Sequence, residues 1–428
     1  MPVASGMSMM SRALSSISDI QQNGWFLTKQ VQLRRRGKLL ELEALRPVAG
    51  LRPDRSFGCQ FALLEVAQDF PGPGDDHLRH SGQARHLDAV TFVGAPFDDF
   101  VEEDHLIIPF ADSDIKIAET RQASGEALTA IAKRVPALMG GSADLAPSTL
   151  TLMKDAGDFG PDNHKSRNMH FGIREHGMGS IMNGMSLHGG VIPYGATFLI
   201  FSDYMRPSVR LAALMNIPSI FVYTHDSVFL GEDGPTHQPV EHYFALRLIP
   251  DLTLFRPADG AEVAMAWAYA LRAKEGHGPI LLALTRQKLE PIARPAEFDA
   301  RRILRGAYVL DGYESGDLTI IATGSEVPLA VKTAELLKGE GTNVRVVSAP
   351  SLDLFDHQDA AYRDQVLPDR SRVVCIEAGR SDGWYKYVNH DALIIGIDRF
   401  GASAPYERIA EELGFTPEKV AERIRDWK

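Results

Sequence analysis

Cysteine is nearly absent: Cys59 and Cys375 are the two in 428 residues. They lie far apart and neither belongs to a CxxC pair, so the sequence carries no disulfide framework and no zinc signature. Long apolar runs are missing as well. No stretch approaches the ~18 residues that a membrane-spanning helix needs, and residues 1–20 (MPVASGMSMMSRALSSISDI) lack the continuous apolar core of a secretory signal. Positive charge is in short supply. The formal net charge of −11 argues against a general nucleic-acid or acidic-membrane binder, while leaving room for local basic pockets. With no secretory signal, the cytoplasm is the default location, and an organelle transit peptide is the alternative.

What is present is ordinary globular material, 44% hydrophobic and 24% charged, in a chain long enough for two or three domains. Residues 1–115 sustain neither a strand nor a helix period. Arg34-Arg35-Arg36 is a basic run, Pro71-Gly72-Pro73-Gly74 a breaker and Asp98–Asp104 an acidic run. Such runs read as surface or loop, and this irregular region receives no function. Regularity begins at Thr120. Leu128, Ile131, Ala132 and Val135 recur at helical spacing behind Ser124 as N-cap, and Leu138-Met139 leads into a Gly-Gly turn. Strands are expected at Met169–Ile173, Ser219–Thr224 and Ile280–Thr285, and helices at Gly177–Leu187 and Glu262–Lys274. From residue 306 a second unit repeats the alternation, with strands at Leu318–Thr323, Asn343–Ser348 and Val373–Glu377, a helix from Glu326, and a last helix opened by Thr416-Pro417. The fold class is therefore α/β: two consecutive open α/β domains with mostly parallel sheets, 116–295 and 306–428.

Four clusters carry polar chemistry. Arg174-Glu175-His176 sits between a strand and a helix, where ligands bind in α/β sheets. Burial there would raise the pKa of Glu175 and let it exchange protons; the alternative is a first-turn carboxylate that only complements the helix dipole. Phe198, Phe201 and Tyr204 are spaced by three, which places them along one side of a helix, as core or as a stacking wall for a flat heteroaromatic ring. Thr224-His225-Asp226-Ser227 and Gly231–Pro239 put two histidines and several acids in a Gly-rich loop. Three-ligand zinc sites use tighter or helical spacing, so no metal is assigned, and sugar hydroxyls suit these donors and acceptors better. Arg286 ends a strand and Arg121 starts a helix. Guanidinium groups grip phosphate, but they also form surface ion pairs. Ser148 offers a hydroxyl to phosphate or caps a helix.

Together the clusters resemble transketolases. The matching stretches are Gly140–Leu145 (GGSADL), FGIREHGMGSIMNG from Phe171, PYGATFLIF from Pro193, THDSVFLGEDGPTHQP from Thr224, RPADGAEV from Arg256, LALTRQ from Leu282, IATGSEV from Ile321 and GIDRFGASAP from Gly396. The likeness runs from about residue 118 to the C-terminus and implies thiamine diphosphate as cofactor. It implies that Glu175 bonds the aminopyrimidine N1′, that Phe201 stacks on the pyrimidine with Phe198 and Tyr204 lining the pocket, and that Asp144 approaches the cofactor. It further implies that His225, Asp233 and His237 contact substrate hydroxyls, with His225 and His237 joining Glu175 in catalysis, and that Arg121, Ser148 and Arg286 grip the sugar phosphate. The family begins with a larger domain that holds the diphosphate and a divalent metal (Mg or Ca) through a GDG…N motif. Residues 1–115 contain no GDG, and Gly72-Pro73-Gly74-Asp75-Asp76 lacks the Asp-Gly order. The expectation is a transketolase transferring a two-carbon ketol unit between sugar phosphates as the pyrimidine-domain half of a split enzyme. Its partners would be a second copy, a separate diphosphate-binding chain, or both. The alternatives are an inactive homologue acting as an interaction module, and a relative with another donor, a deoxyxylulose-phosphate synthase or a 2-oxoacid dehydrogenase β chain.

Overall fold

The computed structural model describes residues 118–273, 277–368 and 372–427, together with short strands between residues 26 and 48. These strands pair antiparallel, Phe26–Leu27 with Pro47–Val48 and Arg34–Arg36 with Leu39–Glu41. The tri-arginine run, expected as surface or loop, pairs with Leu39–Glu41 in a two-stranded ladder. The PGPG breaker, the acidic run and Cys59 lie outside the described residues.

The first α/β unit is built on six parallel strands. Their order is Thr253–Phe255, Ile280–Leu284, Ile220–Thr224, Ile192–Phe198, Leu138–Ser142 and Asn168–His170. A parallel sheet with helices on both faces needs strands that are apolar throughout, which is why IFVYT and ILLAL read as unbroken runs. Alternate side chains divide the core. Ile220, Val222, Leu282 and Leu284 pack with Leu128 and Trp267 from helices Thr120–Arg134 and Gly260–Arg272. Phe221, Tyr223, Leu281 and Ala283 pack with Met178, Met182, Met205 and Val209 from helices Glu175–His188 and Ser202–Leu214.

Three local expectations are corrected. The first helix starts at Thr120 and takes Glu119 as its N-cap. Ser124 lies inside it, where its hydroxyl accepts a hydrogen bond from Trp267 Nε1 at 2.9 Å. Gly140 and Gly141 form no turn but lie within the strand Leu138–Ser142. A Cβ on Gly141 would stand 1.8 Å from the carbonyl oxygen of Met169, so the glycines permit close approach of neighbouring strands. Third, the three aromatics do not share a helix: Phe198 ends a strand, Phe201 ends the 3-10 turn Leu199–Phe201, and Tyr204 lies in the following helix.

The second unit has the antiparallel edge strand Tyr308–Val309 followed by parallel Val344–Ser348, Leu318–Ala322, Val373–Ile376 and Leu393–Ile395. Helices Glu326–Gly339 and Pro417–Asp426 cover one face, and Phe355, Trp384 and Val388 fill the other. Thr416 caps the last helix by accepting from Lys419 N, with Pro417 in its first turn, as the sequence predicts. No described helix is long and apolar enough to cross a membrane.

Candidate active site

Because the six strands run in one direction, their carboxyl ends share one edge of the sheet. After leaving Leu138–Ser142 the chain steps outward to Asn168–His170 and then returns to the opposite side at Ile192–Phe198. The crevice between Leu138–Ser142 and Ile192–Phe198 is therefore a topological switch point, where open α/β sheets bind ligands. Asp144, Glu175, Phe198–Tyr204, His225 and Arg286 all follow carboxyl ends of this sheet.

A run of rings forms the wall. Phe198 and Phe201 stack at 5.6 Å with 10° between planes, and Phe201 and Tyr204 stack at 5.9 Å. The period of three survives the change from strand to 3-10 turn to helix, so the rings align although no single helix carries them. Tyr204 is exposed and Phe201 half-buried, which leaves apolar face at the surface of the crevice. His225 lies against the other side of Phe198, with ring centroids 3.6 Å apart. His237, from the Gly-rich loop, meets Phe201 edge-on at 5.6 Å.

His225 is the buried member of the pair. Its backbone takes a left-handed φ of +58°, a sparsely populated state for a non-glycine residue and one that concentrates at functional sites. Its Nδ1 shares a 2.8 Å hydrogen bond with Thr224 Oγ1. Burial, and then the positive charges of Arg121 and Arg286 and the neighbouring His237, lower its pKa to about 3. At neutral pH this imidazole is uncharged, held as a hydrogen-bonding group on a fixed ring.

Arg121 and Arg286 are far apart in the chain, and the threonines beside them bring them together. Thr120 N donates to Thr285 Oγ1 at 3.0 Å and Thr285 N donates to Thr120 Oγ1 at 2.7 Å. The short antiparallel pair Ala118–Glu119 with Lys288–Leu289 closes the same seam. Arg121 donates to the Ser148 carbonyl at 2.6 Å and to Glu119 at 2.8 Å, and Arg286 donates to the Leu230 carbonyl at 3.1 Å. These bonds aim both guanidinium groups and use only part of their five donors each.

Glu175 opens its helix and is buried, close enough to Tyr223 that its charge helps burial raise that phenol's pKa. Asp144, with φ +63°, and Asp233 are exposed at the same sheet edge, and no ring contact joins them to the wall. Asp226, singled out beside His225, turns away: its carboxylate accepts from Arg256 Nε at 3.0 Å and is fully buried. Sequence reasoning missed Thr120, Thr285 and Thr224, which position the Arg and His side chains. It also gave no role to Gln238, whose amide is buried beside His237. Among the described residues no cluster of three or more His, Cys, Asp or Glu side chains is arranged to hold a metal ion.

Comparison with known proteins identifies the family of both domains. Residues 116–291 match the family described as the transketolase pyrimidine binding domain, and residues 306–416 match the transketolase-like C-terminal domain. The transketolase of Aquifex aeolicus is 50% identical over 307 residues, which is 71% of this chain and 44% of that protein. The crystal structure of Pichia stipitis transketolase in complex with sedoheptulose 7-phosphate is 41% identical with a TM-score of 0.69, covering 73% of this chain and 46% of that one. A split-gene transketolase described as an inactive beta4 tetramer shares the fold, with a TM-score of 0.58 at 23% identity, over 73% of this chain and 98% of that one. The chain spans a little under half the length of the curated relatives it matches.

Proposed function

Because this chain belongs to the transketolase family through its pyrimidine-binding and C-terminal domains, we propose that it binds the pyrimidine end of thiamine diphosphate and serves in ketol transfer between sugar phosphates. It does so together with a diphosphate-binding module on another polypeptide, which also holds the divalent metal. The observation that carries this reading is the run of rings Phe198, Phe201 and Tyr204, closed by two histidines and flanked by two arginines.

The residues present fit the cofactor. Stacked rings with exposed face suit a flat aminopyrimidine, and a buried carboxylate at the same sheet edge suits a ring nitrogen that must share a proton. Thiamine diphosphate, when bound, supplies the nucleophilic carbon and the electron sink. Glu175 holds the proton between its carboxylate and the pyrimidine ring nitrogen. Phe201, with Phe198 and Tyr204, fixes the ring plane and keeps water from that face. Asp144 approaches the cofactor from the neighbouring strand end. Neutral His225, with His237 and Asp233, hydrogen-bonds the hydroxyls of the sugar and orients its reacting carbon. Arg121, Ser148 and Arg286 anchor the sugar phosphate, which sets how far the sugar enters the crevice.

The test is reconstitution. The purified chain, mixed with a separately expressed diphosphate-binding domain of a transketolase, should transfer a two-carbon unit from xylulose 5-phosphate to ribose 5-phosphate, dependent on thiamine diphosphate. Glu175→Gln should lower kcat by about 10²–10⁴-fold, the range for loss of a positioned proton-transfer group. Tight association without transfer would instead identify an interaction module. Turnover of pyruvate but not of the ketose would identify a relative with another donor.

A further inference from the structure

The Gly-rich loop that carries Asp233 and His237 is tied to the C-terminal domain as well as to its own. Its entrance, Val228-Phe229, is packed into the core of the second unit, where the Phe229 ring meets Phe415 edge-on at 5.4 Å. Within the loop, Gly231 and Gly234 take left-handed φ values of +97° and +79°, so the chain folds tightly back on itself.

The tie is Gln238, which directly follows His237. The two N–H groups of its buried amide are shared among three carbonyls, those of Val228 at 3.1 Å and Gly231 at 3.0 Å within the loop and that of Ala402 at 2.9 Å in the C-terminal domain. Gly401 leaves room for the other end of that amide: a Cβ there would stand 1.9 Å from Gln238 Oε1. Ser403 adds a second bond from its hydroxyl to the carbonyl of Glu232, adjacent to Asp233. Segment Gly401–Ser403 thus touches the loop beside both of its sugar-facing residues and itself presents no side chain to the ring wall.

We infer that Gln238 is a positioning residue through which the C-terminal domain, by way of Gly401–Ser403, sets the geometry of Asp233 and His237. The inference rests on reading those two residues as sugar contacts. It gives the C-terminal domain a part in substrate binding without any direct contact to substrate. Removing the amide, or displacing it from the C-terminal side, should loosen the loop while leaving the ring wall and Glu175 in place.

The experiment uses the full chain reconstituted with a diphosphate-binding domain and compares Gln238→Ala, Gly401→Ala and the milder Ser403→Ala with wild type. Hydrogen exchange should rise about tenfold in the amides of residues 231–238, with the strands of the first sheet still protected. The KM for the ketose phosphate should rise about tenfold and kcat should fall by a smaller factor, with thiamine diphosphate affinity changed less than about threefold. Ser403→Ala should show the same pattern at smaller size, which covers a Gly401→Ala variant that fails to fold. Unchanged loop exchange in Gln238→Ala and Ser403→Ala would overturn the coupling. Faster exchange with an unchanged KM would overturn the positioning role. Faster exchange in an assembly whose wild type transfers no ketol unit would uphold the coupling and overturn the functional reading instead.

Discussion

His225 shows what a single buried residue at this site costs the fold. An imidazole ordinarily takes up its proton near pH 6.5, and here burial, followed by the charges of Arg121 and Arg286, delays this to about 3. The unfolded chain therefore binds a proton that the folded chain refuses throughout that window. Stability is full above pH 6.5 and falls as pH drops toward 3, by up to about 5 kcal/mol from this residue. Replacing His225 by Gln should flatten the fall in unfolding free energy between pH 6 and pH 4, followed by urea titration at each pH. An unchanged slope would mean that other groups carry the acid lability. The same shift predicts that no ionisation of His225 enters the rate profile between pH 5 and pH 9. Its chemistry at neutral pH is hydrogen bonding, and its Nδ1 is engaged by the Thr224 hydroxyl.

At the scale of elements, glycine placement is the sharpest constraint. Gly140 and Gly141 sit in a strand flanked on both sides by parallel neighbours, and Cβ atoms there would fall 2.0 Å from the Tyr194 carbonyl oxygen and 1.8 Å from that of Met169. Gly141→Ala must push the edge strand Asn168–His170 outward, and with it the chain leading to Glu175. We expect a loss of about 2 kcal/mol or more, in the range of overpacked cores, seen as a lower urea midpoint with an unchanged slope. A midpoint within error of wild type would show that the edge strand yields freely. These glycines also mark where the sequence was legible and where it was not. The apolar runs at 220–224, 280–284, 318–322, 344–348 and 373–376 announce buried strands directly, because each is short and apolar and alternates with helical segments. Gly-Gly reads as a turn from local propensity and becomes a strand only because of neighbours that propensity does not see. Ser124 reads as a cap for the same reason, until Trp267 from another helix claims its hydroxyl. The aromatic spacing brings the three rings into one stacked run, but on a strand–turn–helix junction and not on one helix, since a step of three residues carries across it. Residues in the sheet-edge motifs were legible one at a time. Their meeting was not, because Arg121 and Arg286 are joined by the Thr120–Thr285 pairing across 165 positions, and no local pattern encodes that.

For the two α/β units taken together, the decisive contact is a charge network at their boundary. Arg256, fully buried, donates to Asp226 in the first unit and to Glu326, Thr323 and Ser325 in the second, and lies over the Tyr243 ring at 4.6 Å. Beside it Arg247 holds Glu377 through two bonds of 2.9 Å. Gly324, with φ +51°, packs directly on the Arg256 side chain, where a Cβ would meet Arg256 Cγ at 2.8 Å. A buried pair is weak evidence of net stabilisation, but breaking one is costly because the partner charges remain desolvated. Arg256→Met strands Asp226 and Glu326 and should lower stability by about 3–5 kcal/mol. Since the network joins the two sheets, the loss should fall on their coupling. Calorimetry, which should give one cooperative transition for wild type over residues 118–427, should then resolve two. Adding Glu326→Gln to Arg256→Met removes one stranded charge and should recover part of the loss, a coupling that a double-mutant cycle measures. If Arg256→Met melts in a single transition at the wild-type temperature, the boundary is held by its other contacts, and Arg256 contributes only the placement of Asp226 next to His225.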